Sequence, residues 1–328
     1  MHSSETRWGI LGTARIGRQL IRGIGRSGNS CVHAVASRER TRALEMAKEC
    51  GVPRFFGSYE DMIESGEVDV IYNPLPNGLH SEWTIKALEA GLPVLCEKPF
   101  TVNAAEARAV AETSERTGCL VAEAFMYRYH PLYDKVLEMI HHGDIGEIVT
   151  LRSVFAFQLT DMNDIRKSTA LAGGALMDVG CYCVNFSRRM AESEPLRVSA
   201  IERRTSVDDT LVGQMEFPNG ILAEFKCSIE SYPRSFAEIV GTEGIITIET
   251  PWVPGERNSE FILRKGDKQE TVTVAGCDCY QAEVEDFVDA YRNQRDVRWP
   301  IDDAVANMEV IDALYESARK GTAIPLEN

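Results

Sequence analysis

The stretch Trp8–Leu20, "WGILGTARIGRQL", decides the reading of this chain. An apolar run of strand length ends at Leu11. Gly12-Thr13-Ala14-Arg15-Ile16-Gly17 follows, and then a helical pattern begins. The spacing is G-x-G-x-x-G with alanine in the middle position, and it closes a strand and opens a helix, as a dinucleotide fingerprint requires. Gly12 makes the tight turn, position 14 lets the backbone approach a pyrophosphate, and Gly17 permits helix–strand packing. Phosphates would lie at the helix N-terminus, where unbonded N–H groups and the dipole favour anions. Gly12, Thr13, Ala14, Arg15 and Ile16 are therefore cofactor candidates. A lone match could equally be a packed turn without a ligand; the strand–turn–helix context favours the cofactor.

Outward from this stretch the chain alternates. Arg7–Leu11, Cys31–Ser37, Val68–Asn73, Pro93–Lys98 and Cys119–Phe125 are apolar runs of strand length. Helical patterns lie between them at Ile16–Gly25, Arg40–Cys50, Leu79–Ala90 and Asn103–Thr117. Such alternation implies a parallel sheet with helices on both faces. After Glu123 the pattern changes to long strand-like runs: Glu147–Phe157, Leu196–Thr205, Thr210–Phe217, Gly220–Ile229, Phe236–Glu249 and Glu270–Gly276. Turn signals separate them at Pro218-Asn219-Gly220 and Gly241–Gly244. Two helices, Gln281–Asn293 and Asp302–Lys320, close the chain. The expected fold is α/β: a dinucleotide-binding domain over 1–123 with a parallel sheet, then an α+β domain over 124–328 on a large, mostly antiparallel open sheet.

The 328 residues are 44% hydrophobic and 26% charged, with a net charge of -15. That balance argues against nucleic acid as a main partner, which needs a basic face. The start "MHSSETRWGILG" shows neither a secretory pattern nor a membrane span, so a cytoplasmic protein is expected. The nine cysteines are scattered and read as reduced thiols. Cys181/Cys183, Cys277/Cys279 and His141-His142 lack a second ligand pair, so no metal site is expected.

The second strand ends "AVASRERTR". A carboxylate there would bind the adenine ribose of NAD. This chain has Ser37-Arg38 instead, then Arg40 and Arg42, with Glu39 the first acid. A guanidinium pairs with a 2′-phosphate, so NADP is the expected cofactor. An ordinary basic helix start is the plainer reading, although arginine is unfavourable beside a helix N-terminus.

"NPLPNGLH", Asn73–His80, interrupts what could be a plain strand-to-helix turn. Its prolines fix φ. Asn73, Pro74, Leu75 and Asn77 would wall the nicotinamide ribose and pyrophosphate, with His80 facing the cleft. The next strand ends Glu97-Lys98-Pro99, at the sheet edge where ligands bind. Glu97 and Lys98 join the cofactor candidates. Hydride transfer at an alcohol also needs a group that takes or supplies the hydroxyl proton.

Further on, Gly173-Gly174 breaks the chain before a helix in which Asp178 and Tyr182 are four apart and share a face. With Lys98 they could form one catalytic cluster, the ammonium favouring the phenolate. A snorkelling tyrosine beside a solvated aspartate is an equal reading from spacing alone. Tyr127, Arg128 and His130 in "MYRYHP", and Phe157, Asp161 and Asn185, are weaker candidates for which packing is the simpler account.

Together "GILGTARIG", "NPLPNGLH", "EKP", "EAFMYRYHP" and "GGALMDVGCYCVN" resemble the Gfo/Idh/MocA oxidoreductase family, over both halves and in order. The resemblance implies an N-terminal Rossmann domain and a C-terminal domain whose open sheet often forms the subunit interface. It makes Lys98 the EKP lysine and fits Asp178 and Tyr182 to the D-x-G-x-[Y/H] motif. Tyr182, where inositol dehydrogenase-type members carry histidine, is similar to the branch of NADP-dependent D-xylose 1-dehydrogenases, dimeric dihydrodiol dehydrogenases and glucose-fructose oxidoreductase. The implied activity is NADP-dependent hydride transfer at a sugar or cyclic diol, with an aldose such as D-xylose or D-glucose oxidised at C1 as first choice. The implied assembly is a homodimer or homotetramer. Without an N-terminal arm, NADP is expected to exchange with solvent. A non-catalytic NADP sensor on the same fold would lack Lys98 or Tyr182, and both are present.

Overall fold

The structure, a computed structural model, describes residues 5–326. Two compact units comprise residues 5–129 with 278–305, and residues 130–277 with 306–326. The helices are α1 (Gly17–Arg26), α2 (Arg40–Cys50), α3 (Tyr59–Ile63), α4 (His80–Glu89), α5 (Ala104–Thr117), α6 (Pro131–His141), α7 (Cys181–Ala191), α8 (Cys279–Asn293) and α9 (Ile301–Lys320).

In the first unit β1 (Thr6–Leu11), β2 (Ser30–Ala36), β3 (Arg54–Phe56), β4 (Val70–Asn73), β5 (Val94–Glu97) and β6 (Val121–Ala124) form one sheet. Its order is β3-β2-β1-β4-β5-β6 and every pairing is parallel. Strands covered on both faces become continuous apolar runs, and β4, β5 and β6 are buried throughout. Strand order reverses between β1 and β4, the crevice where open α/β sheets bind ligands. β3 has only three residues, too few to show a period, and the sequence reading passes over it.

The first unit takes in 278–305, which a single boundary after residue 123 leaves with the second half. The cause is packing. Val284, Phe287 and Val288 of α8 join Trp8, Ile10, Leu20 and Ile24 in one core, with the rings of Trp8 and Phe287 5.5 Å apart. Gly23 permits the approach of α1 to α8: a Cβ there would lie 2.8 Å from the Tyr280 carbonyl carbon and 2.9 Å from the Gln281 nitrogen. Asp278 caps α8 by accepting from the Tyr280 and Gln281 N–H groups and also holds Arg26 at 2.6 Å.

The second unit contains β7 (Ile148–Gln158), β8 (Arg197–Arg204), β9 (Asp208–Glu216), β10 (Leu222–Ser228), β11 (Glu230–Gly241), β12 (Ile245–Ile248), β13 (Ser259–Lys265), β14 (Lys268–Val274) and β15 (Ile324–Pro325). They form a nine-stranded sheet in the order β14-β13-β12-β11-β7-β10-β9-β8-β15. Only β7 with β10 pairs in parallel. One face carries Leu211, Met215, Phe225, Ala237 and Ile239 into the core. The other leaves Ile201 73%, Leu222 53% and Val212 40% exposed. The sequence reading misses β13, whose apolar Phe261-Ile262-Leu263 is short and flanked by charge. Among the described residues no helix is long and apolar enough to cross a membrane.

Candidate active site

In the first unit the glycine turn lies between β1 and α1. Gly12 has φ +79°, donates its N–H to the Ala36 carbonyl at 2.8 Å, and has Leu75 so close that a Cβ would lie 2.8 Å from Leu75 Cδ2. Gly17 is less constrained, since an added Cβ would make ordinary contacts with Met46, Ile10 and Pro74. Thr13, Ala14, Arg15 and Ile16 form the bend before α1. This helix has no side-chain cap at Ile16 and no acid in its first turn, so the chain leaves its positive end uncompensated. A turn that admits only glycine, followed by an uncapped helix N-terminus, fits a dinucleotide pyrophosphate.

At the end of β2, Ser37 is buried, donates its N–H to the Phe56 carbonyl at 3.2 Å and accepts from the Glu39 N–H at 3.3 Å. Arg38 is exposed, while Tyr59 is buried, and that burial raises the pKa of its phenol. Arg42 is drawn aside into an ion pair with Glu39 at 3.0 Å, and Arg40 lies over the Phe55 ring.

Asn73 and His80 behave differently from expectation. Asn73 is wholly buried: its amide donates to the His80 carbonyl and Thr84 Oγ1, both at 3.1 Å, and its oxygen accepts from the Leu75 N–H at 3.3 Å. His80 is 1% exposed, with Nδ1 at 2.9 Å from the Pro99 carbonyl and Nε2 at 2.6 Å from the Leu75 carbonyl. Burial lowers its pKa, against the pull of the two carbonyls. Neither side chain offers a polar atom toward a cleft, so both work by bracing Pro74, Leu75 and Asn77 against the Pro99 turn.

Glu97 is buried at the end of β5, where it accepts from Tyr72 Oη at 2.6 Å and from the Lys98 N–H at 3.2 Å. Lys98 itself is half-buried. Glu123 accepts from the Phe100 N–H at 2.9 Å, which fixes the chain just past Lys98. Glu283 of α8 lies in the same acidic surroundings; burial first, then Glu97 and Glu123, raise its pKa well above the ordinary carboxylate range, against the pull of Arg128.

In the second unit Asp178 stands in a π-helical turn, Leu176–Gly180, that runs directly into α7 and Tyr182. Single π turns recur at functional sites, and this one changes the α-helical register expected between the two residues. Arg166 Nε donates to Asp178 Oδ2 at 2.7 Å, while its Nη1 reaches Asp164 at 3.3 Å. Tyr182 is 9% exposed, with its ring set edge-on to Phe155 at 5.4 Å and to Trp252 at 6.0 Å. Asp208 anchors the start of this segment. It accepts the Leu176 N–H at 2.7 Å and the Tyr315 hydroxyl at 2.9 Å, and burial raises its pKa to about 6.

Of the weaker candidates, Tyr127, Arg128, His130 and Asn185 are buried, Phe157 is half-buried and Asp161 is exposed. Arg128 is buried, pairs with Asp303 and lies over the Phe125 and Trp299 rings. His130 caps α6 by accepting from the Leu132 N–H at 3.0 Å. Sequence reasoning missed Arg166, Asp208 and Tyr72. No motif flags them, and their contacts with Asp178, Tyr315 and Glu97 span 12, 107 and 25 positions.

Comparison with known proteins agrees with this architecture. A family model described as "Oxidoreductase family, NAD-binding Rossmann fold" matches residues 6–125, and "GFO/IDH/MocA C-terminal domain" matches 133–247. The chain is 36% identical to D-xylose 1-dehydrogenase (NADP(+)) 2 of Haloferax volcanii over 98% of this chain and 99% of that one. It is 35% identical to trans-1,2-dihydrobenzene-1,2-diol dehydrogenase of Mus musculus over 80% of this chain and 79% of that protein. Among solved structures, KijD10, a 3-ketoreductase from Actinomadura kijaniata in complex with NADP and TDP-benzene, superposes with TM-score 0.92. It is 26% identical, over 96% of this chain and 98% of that one. With the strand order, the glycine turn and the D-x-G-x-Y turn all in place, the chain belongs to the Gfo/Idh/MocA oxidoreductase family and is an oxidoreductase acting on CH–OH groups.

Proposed function

We propose that the protein is an NADP-dependent dehydrogenase of a sugar or cyclic diol, with an aldose such as D-xylose or D-glucose oxidised at C1 as first choice. The observation that carries the cofactor is the end of β2, where a buried Ser37 and an exposed Arg38 stand in place of a carboxylate. The near full-length likeness to a D-xylose 1-dehydrogenase supports the substrate class.

NADP would be held by the Gly12–Ile16 turn, by Ser37 and Arg38, and along Pro74, Leu75 and Asn77; when bound it accepts the hydride that leaves C1. Tyr182 takes the C1 hydroxyl proton as the carbonyl forms, and an aldose is left as its lactone. The Lys98 ammonium favours the tyrosinate during that transfer. Asp178, fixed by Arg166, orients the sugar hydroxyls. Lost acid/base function at one position typically costs about 100- to 10,000-fold in rate.

The aromatic surroundings of Tyr182, Phe155 and Trp252, favour a second reading, a trans-dihydrodiol dehydrogenase. The exposed Ile201, Val212 and Leu222 support a homodimer or homotetramer through the open sheet face. The test is a panel of aldoses, polyols and dihydrodiols with NADP and NAD in parallel, repeated with Tyr182→Phe. Undiminished turnover in that variant refutes the acid/base assignment, and a clear preference for NAD refutes the role of Ser37-Arg38.

A further inference from the structure

We infer that Arg166 binds the substrate and helps to select it: beside Asp178 it sets a hydrogen-bond donor next to an acceptor, a pair that reads two hydroxyls of one neutral sugar. The inference rests on the role given to Asp178 above. Arg166 Nε donates to Asp178 Oδ2 at 2.7 Å, and Nη1 donates to Asp164 Oδ1 at 3.3 Å. The remaining nitrogen, Nη2, has no partner among the described residues, and the side chain is 41% exposed. A guanidinium is a rigid fork of N–H donors, so fixing Nε and Nη1 also fixes the direction of Nη2. Its hydrogens are left open to solvent beside the Asp178 carboxylate.

The backbone under Arg166 is clamped. Asp164 accepts from the Arg166 N–H at 2.9 Å and opens the short helical turn Ile165–Lys167. The Arg166 carbonyl accepts the Gly174 N–H at 2.9 Å, and a Cβ on Gly173 would lie 2.3 Å from the same oxygen. Gly173-Gly174 is thus the floor under Arg166 as well as the break before the π turn. At the next residue the Lys167 ammonium pairs with Asp209, which is 0% exposed and also accepts the Thr205 N–H at 2.8 Å. The Ser206 hydroxyl donates to the Lys167 carbonyl at 3.1 Å. A donor ordered in advance loses little entropy when a ligand arrives, and that appears as affinity. Charge then narrows the ligand. Asp178 and Asp164 flank a single guanidinium, which disfavours an anionic sugar phosphate or sugar acid. A neutral polyol suits the pair, since each hydroxyl both donates and accepts: one donates to Asp178 while its neighbour accepts from Nη2. A cyclic diol has a single hydroxyl besides the reacting one, whereas an aldose has several, so the pair favours the aldose.

Arg166→Met removes every donor and keeps an unbranched side chain. Steady-state rates with NADP are measured for the better of D-xylose and D-glucose and for its 2-deoxy, 3-deoxy and 4-deoxy analogues, in the unaltered protein and in the variant. For the parent sugar the variant should lose roughly tenfold in kcat/KM, mostly through KM, because one charge-assisted hydrogen bond to a hydroxyl is gone. One deoxy analogue should be a poor substrate of the unaltered protein and no poorer for the variant, since its missing hydroxyl is the one that Arg166 binds. NADP binding, followed by fluorescence titration, should be unchanged. An equal loss for the parent and every analogue would make Arg166 a support of Asp178 alone and overturn the inference. No loss for any of them, or loss of NADP binding in the variant, would overturn it too. If the unaltered protein oxidises the parent sugar and treats all three analogues alike, only the inference fails. If it oxidises neither sugar with NADP, the first choice of substrate fails and takes the inference with it.

Discussion

Asp208→Asn should make the protein more stable than the unaltered chain, and increasingly so as pH rises. Asp208 is 1% exposed and its pKa stands at about 6, raised chiefly by burial, against 3.8 for an unperturbed group. The Leu176 N–H, the Tyr315 hydroxyl and the Arg204 charge pull it back down without cancelling the burial cost. The folded state therefore binds this proton more tightly than the unfolded chain. The cost of the buried charge is absent below the unfolded value, grows as pH rises through the window between the two, and is complete above about 6. Roughly two pKa units correspond to about 3 kcal/mol, of which about 2 kcal/mol falls between pH ~4.5 and ~7.5. Asparagine is isosteric and still accepts from Leu176, but it carries no such term. Urea unfolding at several pH values, read as variant minus unaltered protein, should show the difference moving by about 2 kcal/mol in the variant's favour across that range. A difference that is flat with pH, or that moves the other way, would refute the reasoning. The carboxylate is worth its cost for position, because it fixes the start of the segment that bears Asp178 and Tyr182.

The other predictions concern packing and assembly. Gly23→Ala should lower stability by about 1–3 kcal/mol in thermal unfolding, despite alanine's better helix propensity, because the new methyl meets the Tyr280 and Gln281 backbone. Phe287→Ala should cost about 3–5 kcal/mol by the same assay, since the ring leaves a cavity against Trp8 in the first unit's core. Ile201→Glu, on the exposed sheet face, should shift the assembly toward smaller species in sedimentation velocity and leave the melting temperature of the monomer unchanged. An unaltered sedimentation profile would remove that face from the interface.

The sequence reveals most where a local period is strong. β1, the Gly12 turn and α1 follow from one stretch of 13 residues, and the helix ranges agree to within a residue or two. The period of α8 is equally clear, but it says only that one face is apolar. Which core that face joins depends on the close approach at Gly23, a contact between chain positions more than 250 apart. His80 shows a second limit. A histidine after a proline-rich turn suggests ligand chemistry, yet the ring is consumed by the Leu75 and Pro99 carbonyls, and the latter arrives only with β5. Asp178 and Tyr182 are legible as a pair because they are near in sequence. Arg166 and Asp208, which hold that pair in place, are not: Arg166 reaches Asp178 from an irregular turn 12 positions earlier, and Asp208 meets Leu176 from β9, 32 positions later.

The central claim is tested most directly by nicotinamide absorbance when the purified protein is given D-xylose, D-glucose and a trans-dihydrodiol, with NADP and with NAD. The account predicts reduction of NADP in preference to NAD with at least one of these substrates, and loss of that signal in Tyr182→Phe while NADP binding persists. Reduction that prefers NAD, or a Tyr182→Phe variant as fast as the unaltered protein, would contradict it.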